Sequence, residues 1–171
     1  QTSILRHVES VRVNQGWFQS NHQAGDLALV KMTHAAPEDY SSLPLAKSFG
    51  ELSESQAVTI VGYGITTADY HAKDKAPIAL RMTTVYPINV SLKQTLVQNA
   101  HKEDPNSTLQ VQDLRNSDDQ ENLIFDQSHG RGICAGDSGG PALLGSGEQA
   151  QIIGVSSFVE NPSNHKAECG L

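Results

Sequence analysis

Gly132-Ile133-Cys134-Ala135-Gly136-Asp137-Ser138-Gly139-Gly140-Pro141 decides the reading of this 171-residue chain, and it runs directly into the apolar segment Ala142-Leu143-Leu144. Its glycines surround one hydroxyl, that of Ser138. Acyl transfer by a serine needs an exposed nucleophile and backbone N–H groups aimed at the developing oxyanion, and glycines let the chain turn sharply enough to present both. The N–H groups of Gly136 and Ser138 are the expected oxyanion donors, one on the nucleophile itself and one two residues before it. A bland alternative is a glycine-rich hairpin with a chance Asp-Ser pair.

Outward from this loop the chain reads as β-rich. Strand candidates are His7 to Val13, Leu27 to Met32, Ala57 to Gly62, Leu80 to Val90, Pro141 to Leu144 and Gln151 to Phe158, without any helix-length amphipathic pattern. Turn-forming clusters separate them, such as Lys73-Asp74-Lys75-Ala76-Pro77 and Gly145-Ser146-Gly147. The pattern predicts an all-β sandwich or barrel rather than alternating β-α units. The stretch from Gln98 to Gln127 is crowded with Asn, Asp, Gln, Glu and Ser and is expected to be a loop or insertion. Its carboxylates Asp113, Asp118, Asp119 and Glu121 do not follow the EF-hand spacing, so no metal is assigned.

Composition narrows the class of partner. Twelve basic against 19 acidic residues give a formal charge of −7, which argues against nucleic acid, and no Lys/Arg cluster offers a local exception. The apolar runs are too short to span a bilayer as a helix, so no membrane role is indicated. No cofactor is implied. The start, Gln1-Thr2-Ser3-Ile4-Leu5-Arg6-His7, lacks an initiator Met and the charged, apolar and small-residue progression of a signal peptide, which suggests a processed or excerpted chain. Cys134 and Cys169 belong to no metal-binding pattern, and the count alone leaves a disulfide and two unlinked thiols open.

Gly136-Asp137-Ser138-Gly139-Gly140-Pro141 resembles the nucleophile loop of the trypsin/chymotrypsin serine proteases. Asp26-Leu27-Ala28-Leu29-Val30-Lys31 resembles the stretch around that family's triad aspartate. Val61-Gly62-Tyr63-Gly64 resembles the turn that opens its second barrel, and Ile153-Gly154-Val155-Ser156-Ser157-Phe158-Val159 its substrate-binding strand. The likeness runs from about Val8 to Cys169. It implies an all-β fold of two six-stranded antiparallel barrels, truncated at both ends. Residues 1–50 would hold what remains of the first barrel with the linker, and residues 51–171 the second barrel with the nucleophile loop. Asp26 and Ser138 lie 112 positions apart (138 − 26), against roughly 93 in chymotrypsin. An insertion after Gln98 accounts for the excess.

Carried over residue by residue, the resemblance makes Ser138 the nucleophile and Asp26 the carboxylate that orients a catalytic imidazole. Ser157 matches the serine beside that carboxylate. Asp137 matches the residue that pairs with a freed α-amino group on zymogen activation. The resemblance also favours a disulfide between Cys134 and Cys169, clamping the pocket, and a secreted protein, extracellular or periplasmic. The family's histidine lies roughly 45 residues before the aspartate, yet only 25 residues precede Asp26 here. His7 and His22 are therefore too close to it. His34, His71, His101, His129 and His165 follow it, in the wrong chain order. A missing or separately cleaved N-terminal segment is expected to supply the histidine; a pseudoprotease acting as a binding or regulatory module is the rival reading.

Specificity is expected from Gly132, Ile133, Ala135, Ser157, Phe158 and Val159. Trypsin-like members place an aspartate six residues before the nucleophile, where this chain has Gly132. A buried Lys or Arg of a substrate would lack a counter-charge there. Val159 would narrow the entrance, which points to protein or peptide substrates with small or medium apolar residues before the cleaved bond.

Overall fold

The computed structural model describes residues 6–19, 25–66, 79–116, 122–127 and 129–159. The chain divides into two units, Gln1–Leu43 and Pro44–Leu171.

In the first unit Val8–Val13 (β1) and Ala28–Met32 (β2) form an antiparallel ribbon, with Val13 opposite Ala28 and Val8 opposite Met32. Between them lies the short helix Gln15–Gln19 (α1). Asn14 starts that helix: its Oδ1 accepts the Gly16 N–H at 2.9 Å, as a helix-capping residue does. The Asn14 N–H reaches the Leu27 carbonyl at 2.9 Å and closes the ladder. β-branched residues supply the strand preference, yet every residue of both strands is exposed. An isolated two-stranded ribbon of this kind is marginally stable.

The second unit holds a sheet in the order β5-β4-β3-β6-β7, all neighbours antiparallel, made from Val58–Gly62 (β3), Arg81–Pro87 (β4), Phe125–Asp126 (β5), Pro141–Leu144 (β6) and Gln151–Val155 (β7). Pro44 to Ala46 runs parallel to β7 and covers its outer edge, the Ile152 N–H donating to Pro44 O and the Ala46 N–H to Ile152 O, both at 2.9 Å. Alternation along the strands buries Val58 and Ile60 of β3 and Val85 of β4. With Leu52 and Ala142 they form the core, against which Phe49, Phe125, Ile133, Leu144 and Ile153 pack. Val58 is fully buried and Ile88 is 1% exposed.

Helical structure corrects the expectation of a chain without helices. Val90–Glu103 (α2) is a 14-residue helix, so the expected strand from Leu80 stops at Pro87, and the start of the expected loop at Gln98 lies inside the helix. Asn89 caps it by accepting the Leu92 N–H at 2.9 Å, and His101 and Lys102 occupy its last turn, where the helix dipole favours positive charge. None of its residues is buried. Leu92, Leu96, Val97 and Ala100 nevertheless share one half-buried face, a short apolar stripe that the strand reading through Val90 and the loop reading from Gln98 divided between them. β5 also falls inside the expected loop. Asn116 anchors the stretch before it: its side chain donates to Ile124 O at 2.6 Å and accepts Ile124 N–H at 2.5 Å, while its carbonyl accepts the Leu52 N–H at 2.7 Å. Asn116 is 2% exposed, so both backbone groups of Ile124 are satisfied by a buried carboxamide. Asp118, Asp119 and Glu121 lie outside the described residues.

Candidate active site

Two consecutive turns build the loop ahead of β6. The Asp137 N–H donates to Cys134 O at 3.0 Å and the Gly140 N–H to Asp137 O at 2.9 Å, so the turns share Asp137. Gly136 (φ 98°) and Gly139 (φ 79°) occupy the third position of each, where a type II turn needs a positive φ. The three-residue spacing of these glycines is thus the sequence's instruction for a double turn. Ser138 is the second residue of the outer turn and is exposed. The loop is tied down on both sides. Gly139 N–H donates to Ser156 O at 2.7 Å and Ser156 N–H to Gly140 O at 2.8 Å, just past the end of β7, while Ile65 N–H donates to Ala135 O at 3.0 Å.

Asp137 turns inward and spends its carboxylate on backbone. One oxygen accepts the Gly64 N–H at 2.6 Å and the other the Cys134 N–H at 2.8 Å. A Cβ on Gly62 or Gly64 would collide with this carboxylate, and one on Gly140 with the Val61 carbonyl. The Gly-Tyr-Gly turn after β3 is therefore the seat of the Asp137 side chain. Arg81, opposite Gly62 in the ladder, donates to Gly64 O at 3.2 Å and holds the other face of the seat. Beside it lies a cavity of about 220 Å³ lined in part by Arg81, Gly132 and Asp137.

Among the described residues no partner takes the N–H groups of Gly136 and Ser138 or the Ser138 hydroxyl. These are the groups that acyl transfer would use. Ser157 is half-buried, and the neighbouring Ser156, to which the sequence reading gave no role, is 8% exposed with no hydrogen-bond partner for its Oγ among the described residues. Ala135 and Phe158 are exposed, and Gly132 and Val159 half-buried. Ile133 packs against the core. Cys134 is 8% exposed, and its expected partner Cys169 lies outside the described residues.

Asp26 belongs to the first unit, exposed, two residues before β2. Among the described histidines, a ring nitrogen of His34 lies 2.9 Å from Thr33 Oγ1, one of His101 3.0 Å from Leu109 O and one of His129 3.7 Å from an Asp126 carboxylate oxygen, while the His7 carbonyl accepts the Thr33 N–H at 2.9 Å. His22, His71 and His165 lie outside the described residues. Among the described residues no group of three or more His, Cys, Asp or Glu could hold a metal, and no helix is long and apolar enough to cross a membrane.

Sequence reading missed Gln127, whose Oε1 accepts the Ile133 N–H and whose side chain occupies the space next to Gly132. No motif could have found it, because the pairing depends on β5 delivering Gln127 beside the loop.

A mostly β chain with two antiparallel sheets and a glycine-built serine loop defines the class to which comparison assigns it. Residues 1–170 match the family model described as Trypsin, and the chain belongs to that family. The solved structure of neuropsin, a serine protease expressed in the limbic system of mouse brain, matches with a TM-score of 0.62 at 17% identity, a likeness that shows the fold. The match covers 97% of this chain and 62% of the neuropsin chain, so the chain spans about three fifths of that protein's length. No curated protein sequence matches it.

Proposed function

We propose that this chain is the greater part of a secreted serine endopeptidase that cleaves peptide bonds through an acyl-enzyme on Ser138. The double turn carries the reading: Ser138 is exposed at its outer apex, two glycines of positive φ shape it, and the N–H groups of Gly136 and Ser138 have no partner among the described residues. In this reading Ser138 Oγ attacks the carbonyl carbon, and the oxyanion forming there takes hydrogen bonds from those two N–H groups. An imidazole removes the hydroxyl proton and returns it to the leaving amine, with Asp26 holding the ring's tautomer. The histidine comes from polypeptide outside these residues, because His7 and His22 stand too close to Asp26 in the chain and the other five follow it. Asp137 pairs with a freed α-ammonium upon activation, adding to the N–H bonds that already hold it.

Residues 1–50 hold what remains of a first barrel with the linker, whose end Pro44 to Ala46 lies along β7, and residues 51–171 hold an incomplete second barrel, in which a Cys134–Cys169 disulfide joins the nucleophile loop to the end of the pocket wall. That bond closes a 36-residue loop (169 − 134 + 1), which corresponds to roughly 3 to 4 kcal/mol in the chain-entropy model. Gly132, Ala135, Ser157, Phe158 and Val159 line the pocket, which favours small or medium apolar residues in protein or peptide substrates. The test is the rate at which a fluorophosphonate labels residues 1–171, compared with a chain extended upstream and with Ser138→Ala. The expected result is labelling that requires both Ser138 and the extension. Equal labelling of the two lengths would place the base within these residues. No labelling of the extended chain would favour a binding module without catalysis.

A further inference from the structure

We infer that Gln127 forms the floor of the primary specificity pocket in place of the side chain that Gly132 lacks, and that its carboxamide excludes Lys and Arg. The inference rests on the peptidase reading for the pocket's location and deepens it. A Cβ built on Gly132 would run into Gln127 Oε1, Cδ and Cγ, so the direction in which a residue at 132 would project is already filled. Ile133 offers no alternative floor, since it packs against the Val58, Ile60 and Val85 core.

The carboxamide's orientation follows from its bond. Ile133 N–H is a donor, so the oxygen of Gln127 must face it and the NH2 end is left over. Among the described residues that NH2 has no hydrogen-bond partner, and Gln127 is half-buried. Its hydrogens carry partial positive charge. An ammonium or guanidinium brought to this floor would be stripped of water and would meet donors instead of acceptors, an uncompensated desolvation. Short uncharged side chains have no such cost. Gly132 and Gln127 thus form one unit: an aspartate placed at 132 alone has no room until Gln127 is cut back.

Gln127→Glu tests this with one atom exchanged, since the retained oxygen still accepts the Ile133 N–H while the NH2 becomes a carboxylate oxygen. The complete protein and its Gln127→Glu and Gln127→Ala variants are titrated calorimetrically with benzamidine, a flat aromatic cation whose binding needs no turnover. The same proteins are assayed on peptides that differ only before the cleaved bond. Gln127→Glu is expected to tighten benzamidine about tenfold or more, the lower end of measured coupling between close charge pairs. Gln127→Ala is expected to shift cleavage toward larger side chains and to make Gly132→Asp tolerable in the double variant. Unchanged benzamidine affinity in Gln127→Glu overturns the inference. If that variant does not fold, Gln127→Ala decides: an unchanged peptide profile, or unchanged binding of neutral aromatic probes where no peptide is cleaved, overturns it. Tighter benzamidine binding without peptide hydrolysis in any variant upholds the floor while the peptidase reading falls. Hydrolysis with an unaltered profile in both variants sinks the floor alone.

Discussion

Replacing Asp137 by Asn probes how the loop is held, independently of catalysis. The carboxylate accepts two backbone N–H groups, from Gly64 at 2.6 Å and Cys134 at 2.8 Å. The amide of Asn is nearly the same shape but has one acceptor oxygen, so one of the two N–H groups must face an NH2. A hydrogen bond to a charged group contributes about 1.5 to 3 kcal/mol. The neighbourhood cannot adapt by shifting the side chain, because Gly62 and Gly64 already have no atoms to give up. Asp137→Asn should therefore make local opening of the loop easier by about 1.5 to 3 kcal/mol, a factor of roughly 10 to 100. Amide hydrogen exchange of the 171-residue chain reads this directly, as a 10- to 100-fold loss of protection at Gly64 or Cys134 with the β3 and β4 amides little changed. Protection at both amides equal to that of the parent chain would refute the argument, since it would mean that the carboxylate does not carry the loop.

Four further outcomes follow from the same geometry. Asn116→Ala leaves the Ile124 N–H and C=O without their partners and should cost about 2 to 6 kcal/mol in urea unfolding, at about 1 to 3 for each orphaned group; a loss under about 0.5 would remove Asn116 as an anchor. Val58→Ala, at a fully buried position, should cost about 2 to 3 kcal/mol by the same measurement. Ser156→Ala removes a buried hydroxyl that has no partner among the described residues and should leave stability unchanged or raise it by about 1 kcal/mol, whereas a clear loss would reveal a bond that the hydroxyl makes. Lys31→Ala breaks the 2.6 Å ion pair with Glu9, whose side chains are 67% and 47% exposed, and should shift the unfolding midpoint by no more than about 0.5 kcal/mol's worth.

The nucleophile loop was legible residue by residue because its information is local. Positive φ at the third position of each turn demands glycine, so Gly136 and Gly139 announce the double turn and leave Ser138 at its apex. The strand runs were legible because β3 and β4 bury alternate residues, and the class followed from motifs that lie within a few positions of one another. The α2 helix was missed because its apolar stripe, Leu92, Leu96, Val97 and Ala100, is short and only half-buried, and the polar residues around it read as a loop. Nor were the contacts that cross between segments. Asp137 reaches Gly64 across 73 positions, Arg81 reaches Gly64 across 17, and Gln127 fills the space beside Gly132 only because β5 pairs with β4 at the far edge of the sheet. Local conformational demands act on single residues and so mark the sequence. Steric and hydrogen-bond demands between distant segments exist only once the sheet has brought them together, and for that reason the seat of Asp137 and the residue beside Gly132 were decided by the tertiary structure.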